Sequence, residues 1–270
     1  MVSPQTAEAA MAWREILVFA DGSADGLVRM RMALDLAEAH GARLEALVLT
    51  PVADGNVEHA GAVEKLSALA PGRGDRLYVH SLQVATGDAV AAAAREARCA
   101  ELVVLGQPET LDNSDLDTDI FVGALTGGGR PVLMLPRWIS PRAYGRRILI
   151  AWRGSPEAAR ALHASLPFLR TAEAVRVCLA NPRSEEHGED QRSMAELASM
   201  LTRQGVKVED PVIRESWEAA ERMIVSELEG FNADMLVMGA YSRSRMLEDI
   251  FGGMTAQMVR DVKTPILLMH

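Results

Sequence analysis

The sequence has little cysteine, no excess of positive charge and no long apolar run. Its two cysteines, Cys99 and Cys178, lie far apart among largely apolar neighbours. No disulfide framework is expected, and a reducing compartment is the simpler reading. A total of 28 Lys and Arg against 37 Asp and Glu leaves a formal charge of -9. The basic residues never run longer than two, so there is no basic face for a nucleic-acid partner. No apolar stretch approaches the ~20 residues that cross a bilayer. The opening "MVSPQTAEAAMAW" has neither the basic nor the apolar segment of a secretion signal. A cytoplasmic protein without a membrane partner is the expectation. Also missing are a Walker A lysine, a G-x-G-x-x-G turn and a G-x-S-x-G elbow with a paired histidine. The six histidines show no metal spacing. P-loop, dinucleotide and serine-hydrolase chemistry are therefore set aside.

What is present is a repeat. "REILVFADGS" (residues 14–23) lines up with "RRILIAWRGS" (146–155), and "LEALVLTP" with "VRVCLANP". "AELVVLG", ending at Gly106, matches "ADMLVMG", ending at Gly239, and "RPVLMLP" matches "TPILLMH". The four matches keep their order, with offsets confined between 131 and 134. The chain is read as two copies of one domain.

Each copy reads as α/β. The matched runs are short, nearly all apolar and rich in Val, Ile and Leu, as in strands covered on both faces of a parallel sheet. Helical patterns lie between them. In "DGLVRMRMALDLAEAHG" Leu27, Met30, Ala33, Leu34 and Ala37 share a face, with Gly41 as C-cap. "SPEAARALHASLPFL" starts on Ser155 as N-cap with Pro156 behind it. Alternating strands and helices predict two tandem, doubly wound, five-stranded parallel-sheet domains. The expected boundaries are a disordered tail over 1–12, a first domain over 13–137, a linker over 138–145 and a second domain over 146–270.

In such sheets a ligand sits beyond the carboxyl ends of the strands, where strand order reverses. The loops after the first and fourth strands are therefore the candidate site. A strand ending in Asp-Gly-Ser, with a later strand running into G-x2-G-x9-G-[ST], a helix and a last apolar strand, resembles the universal stress protein family. The resemblance spans essentially the whole chain as a tandem pair. It implies an adenine nucleotide alpha hydrolase-like fold, a regulatory or stress-survival role without turnover, and in a subset of members ATP held by the glycine motif. Carried onto the second copy, Gly239 fits the first glycine, Ser242 stands at the second, Gly252 fits the third, and Gly253 replaces the hydroxyl residue, with Thr255 two positions on. Arg153, between Trp152 and Gly154, takes the place of the family's adenosine-side Asp, and Leu179 falls where backbone groups meet adenine. Arg243 and Arg245 are placed to pair with phosphates. The resemblance also implies that the final apolar strands pair with one another, within the chain or in a homodimer.

The first copy keeps Asp21-Gly22-Ser23 but has no second glycine after Gly106. Asp112, Asp115, Asp117 and Asp119 crowd that loop, where like charges would repel a polyphosphate. Asp115, Asp117 and Asp119 have the first spacings of a calcium loop, but Ile120 and Thr126 stand where Gly and Glu are required, so no metal is expected. Two readings follow. One is a stress-response protein whose second domain takes ATP, ADP or AMP as a ligand. The other is a nucleotide-free interaction module in which the glycines only punctuate strand and helix. A hydrolase is the weakest of three, for want of a nucleophile and base.

Overall fold

Runs of Val, Ile and Leu that are apolar at every position form strands covered on both faces, and the segments between them fold back as helices. The computed structural model describes residues 12–52, 61–72, 74–85, 87–111, 115–140, 143–180, 187–214, 219–240 and 253–270. The chain divides into two units, Met1–Pro141 and Arg142–His270.

Unit 1 runs β1 (Glu15–Phe19), α1 (Ala24–His40), β2 (Arg43–Pro51), α2 (Ala62–Ser67), β3 (Leu77–Val84), α3 (Ala89–Ala97), β4 (Leu102–Gly106), α4 (Leu116–Val122) and β5 (Val132–Leu135). Its strands pair in the order β3-β2-β1-β4-β5, every neighbour parallel. Unit 2 runs β6 (Arg147–Ala151), α5 (Pro156–Ala164), α6 (Leu166–Thr171), β7 (Ala174–Ala180), α7 (His187–Arg203), β8 (Val212–Arg214), α8 (Ala220–Gly230), β9 (Met235–Gly239), α9 (Met254–Asp261) and β10 (Ile266–Met269). Its order is β8-β7-β6-β9-β10, again all parallel. The direction of winding therefore reverses between β1 and β4, where Ile16 lies opposite Leu102, and between β6 and β9, where Ile148 lies opposite Met235. Each reversal parts the crossover helices and opens a crevice at the carboxyl ends of those strands.

The elements begin and end where their sequences say they should. Ser23 Oγ accepts the Gly26 N–H at 3.0 Å and Ser155 Oγ accepts the Ala158 N–H at 3.2 Å, capping α1 and α5. Gly41, at φ 62°, stops α1 in the left-handed conformation that favours glycine. Both units fasten the start of the first strand with a carboxylate that precedes the fourth. Asp234 Oδ1 accepts the N–H groups of Gly145, Arg146 and Arg147, each at 3.0 Å, and Glu101 accepts those of Arg14 and Glu15.

The core-facing side of α1 is wider than the expected stripe. Met30, Ala33, Leu34 and Ala37 are buried and Leu27 is half-buried, but Met32, Leu36 and Arg29 are buried as well. A buried arginine is foreign to an apolar stripe and marks the crevice of unit 1. Unit 2 buries its own charge at the opposite, amino-terminal edge of its sheet. There Arg176 Nη1 donates to Glu227 Oε1 at 2.8 Å and Nη2 meets Glu209. The Arg147 and Arg176 guanidinium carbons each lie 4.3 Å from the Phe231 ring centre. Burial works against the charge of Arg176, but the hydrogen bonds it donates to Glu227 and Glu209 outweigh it and hold the group above its ordinary value. Among the described residues no helix is long and apolar enough to cross a membrane.

Candidate functional site

In unit 1 the ends of β1 and β4 open onto a cavity of about 490 Å³. Asp21 follows β1 and turns back to accept the Ser23 N–H at 2.8 Å. Arg29, on α1, is 8% exposed and sends its guanidinium across the crevice onto Gly106. A Cβ on Gly106 would sit 1.7 Å from Arg29 Nη1, so the close approach requires glycine there. Arg29 Nη2 reaches Asp21 Oδ2 at 3.5 Å, the outer limit of a hydrogen bond, and its buried Nε has no partner among the described residues.

The far wall is acidic. Asp115 caps α4 by accepting the Asp117 N–H at 3.3 Å. Burial pushes the Asp117 carboxyl above its usual range; the Arg29 charge opposes that rise, while Asp115 and Asp21 reinforce it. Asp119 is raised too, by burial and then by Asp115. At the rim Arg137 pairs with Glu109 at 3.3 Å beside Trp138, whose ring is 76% exposed and whose backbone stands at φ 58°. Asp112 lies outside the described residues.

In unit 2 the loop after β6 carries Trp152, Arg153 and Gly154. The Trp152 N–H donates to the Cys178 carbonyl at 2.9 Å, and its indole Nε1–H donates to Ser193 Oγ at 3.3 Å. Arg153 is exposed, Gly154 has φ 51°, and Leu179 is buried on β7 beside β8. Gly239 closes β9 under the first turn of α5, where a Cβ would lie 2.5 Å from the Ala158 nitrogen and 2.7 Å from the Glu157 carbonyl carbon. Gly253 stands at φ 84° and ψ -164°, which only glycine adopts without strain, and it begins α9 with no side-chain cap. Thr255 is buried in the first turn behind it. Gly239, Gly253 and Thr255 thus bracket the loop between β9 and α9; Ser242, Arg243, Arg245 and Gly252 lie outside the described residues.

Residues 145–270 match the model of the universal stress protein family. Through these residues the chain is similar to the universal stress protein family. Solved structures extend the likeness in fold to the whole chain. A universal stress protein from Archaeoglobus fulgidus DSM 4304 is 16% identical, with 96% of this chain and 97% of that one covered at a TM-score of 0.72. A putative universal stress protein from Pseudomonas aeruginosa UCBPP-PA14 is 22% identical over 97% and 94%, at 0.67. A functionally unknown protein from Pseudomonas aeruginosa PAO1 is 21% identical over the same shares, at 0.66. No curated protein matches the chain. Both units carry the universal stress protein fold in tandem, and both place the family's crevice at the strand reversal.

Against the universal stress protein pattern, each unit keeps a different part. Unit 1 retains Asp21, but that carboxylate is turned toward Arg29. Unit 2 retains Gly239 and Gly253, with Arg153 in place of the Asp. Two residues escaped the reading of the sequence, Arg29 and Trp138. Arg29 left a signal: its counterpart in the repeat is Ala161, which is fully buried. Trp138 left none, since its exposure and left-handed backbone appear only in three dimensions.

Proposed function

We propose that unit 2 holds an adenine nucleotide as a ligand, without turnover, and that the protein acts as a regulatory stress-response factor through that occupancy. The observation that carries this reading is the uncapped amino terminus of α9 at Gly253. A crossover helix runs against its parallel strands, so this terminus belongs to the carboxyl edge of β9 and β10, on the crevice side. The positive dipole end of this helix favours phosphate. Exposed Arg153 adds cationic charge, and the sequence between β9 and α9 carries Arg243 and Arg245. The adenine part rests on the likeness of residues 145–270 to the universal stress protein family. In the crevice, no nucleophile paired with a base stands among the described residues, which favours a ligand over a substrate.

Melting the full chain with ATP, ADP and AMP tests the reading. Ligand at about 100 times its Kd stabilises by about 2.7 kcal/mol. Gly252→Val or Arg243→Ala removes the shift, and phosphate release stays at background. No shift at saturating nucleotide overturns the proposal.

One observation favours the nucleotide-free interaction module instead. The open face of Gly239 is already taken by Glu157 and Ala158 of α5. Burial works against the Glu157 charge, but its own backbone N–H, Ser155 and Arg160 hold the carboxyl below its ordinary value, so it sits ionised at that helix terminus. On this reading the glycine serves packing, and the titration is flat.

A further inference from the structure

The unit 1 crevice is neither empty nor a copy of the one in unit 2, and its chemistry is unbalanced in two directions at once. Arg29 has a side chain only 10% exposed. Buried guanidinium groups ordinarily hold carboxylates at about 2.7–2.9 Å, often through two donors. Here the contact with Asp21 is 3.5 Å and Nε–H is unused among the described residues. The cation is underserved.

The carboxylates are underserved as well. Arg29 pairs with Asp21 and Arg137 with Glu109, which leaves Asp25, Asp115 and Asp117 on the same cavity without an ion pair among the described residues, although the Arg29 and Arg137 charges act on Asp117 from a distance. Burial already disfavours the ionised form of Asp117. A simple anion meets these three carboxylates and is repelled. A simple cation leaves Arg29 unmet in a low-dielectric wall. A zwitterion satisfies both. The remaining wall is apolar, made by Val28, Leu135, Pro136 and Ile139, with the exposed Trp138 ring at its lip. A cavity of about 490 Å³ accommodates a small molecule that carries a sizeable side chain.

We propose that the unit 1 cavity binds a free α-amino acid with a large apolar side chain, its carboxylate on Arg29, its ammonium between Asp115 and Asp117, and its side chain against Ile139 and Trp138. Unit 2 lacks the means, since Ala161 stands in place of Arg29 and Arg153 in place of Asp21. The site is therefore particular to unit 1 and independent of whether unit 2 holds a nucleotide.

Calorimetric titration of the full chain with L-phenylalanine and L-leucine tests this, alongside 3-phenylpropionate, which lacks the ammonium, and phenethylamine, which lacks the carboxylate. Each charge-assisted contact is worth about tenfold or more in affinity, so both truncated analogues bind at least that much more weakly. Arg29→Met, which keeps the packing, and Asp117→Asn each cost the amino acid about tenfold or more. ATP leaves amino-acid binding unchanged. Three results overturn the proposal: no heat with either amino acid at millimolar concentration, phenethylamine binding as well as phenylalanine, or competition by ATP. If Arg29→Met does not fold, undiminished binding by Asp117→Asn is by itself enough to reject it.

Discussion

The contact between Arg29 and Gly106 can be weighed by a double-mutant cycle. Gly106→Ala places a methyl group 1.7 Å from Nη1, so the guanidinium must leave the strand end. Overpacking of this kind costs about 1–3 kcal/mol. The displaced charge also loses its bond to Asp21, a charge-assisted contact ordinarily worth about 1.5–3 kcal/mol but weak here at 3.5 Å. A net loss of about 2–3 kcal/mol follows for the single substitution. Arg29→Ala reproduces what unit 2 has at Ala161. On that background the guanidinium that blocked the methyl group is gone, and alanine in a strand is favoured over glycine by roughly 0.5–1 kcal/mol. The sign of Gly106→Ala should therefore reverse, with a coupling of about 3 kcal/mol.

Thermal and urea unfolding of the full chain, followed by circular dichroism, read this out. For a unit of this size 1 kcal/mol moves Tm by about 2–5 °C, so Gly106→Ala alone lowers the unit 1 transition by about 4–15 °C. The two units can melt separately, and the transition that moves identifies unit 1. Gly239→Ala is the contrasting case, because its neighbours are the Glu157 and Ala158 backbone, which no side-chain substitution removes. Equal cost of Gly106→Ala in both backgrounds, with coupling below about 0.5 kcal/mol, would refute the placement of Arg29.

Three further outcomes follow. The folded Asp117 carboxyl titrates above its unfolded value of about 4, so the folded state binds more protons between those two values and loses stability as pH rises through them. Asp117→Asn accordingly melts higher at neutral pH, an advantage that fades below about pH 4, and an unchanged or lower Tm at neutral pH contradicts it. Glu227→Ala strips the buried partner from Arg176, which keeps only the more exposed Glu209; about 3 kcal/mol and a fall of roughly 10 °C in the unit 2 transition are expected, with Glu227→Gln costing about half. Cys99 is exposed and Cys178 is buried, so a thiol reagent titrates one group in the native protein and the second only in denaturant.

How much of this was legible in the sequence depended on what had left a periodic trace. Four strands of each unit were legible because burial on both faces forces apolar runs, as in "LVVLG" and "MLVMG", and because the chain states the pattern twice; β3, mostly half-buried or exposed, and the three-residue β8 leave no such run. Ser23, Ser155 and Gly41 were legible because caps and left-handed stops admit few residue types. The location of the crevice followed from strand order alone. Its contents did not. Arg29 falls on the buried face of α1, where a polar residue reads as noise, and only its long side chain carries it to Gly106. Gly239 and Gly106 look like one motif position in two copies, yet the first accommodates helix backbone and the second a guanidinium. A glycine in a sequence records that a side chain is unwelcome; it does not record what comes close.

That ambiguity bears on how the two copies diverged. The resemblance to universal stress proteins implies an acidic residue after the first strand and a glycine-bounded turn after the fourth. Unit 1 kept Asp21, then laid Arg29 across its fourth-strand glycine and lined the next loop with Asp115 and Asp117. Unit 2 kept Gly253 and an uncapped α9, then exchanged the acidic residue for Arg153. Neither change destabilises the sheet, because both act at the strand ends, outside the interior that holds β1 to β4 and β6 to β9. The same indifference of the core lets the two crevices differ in charge, with Asp21, Asp115, Asp117 and one buried cation in unit 1 and an exposed Arg153 in unit 2. That difference is the physical ground for proposing ligands of different class at the two crevices.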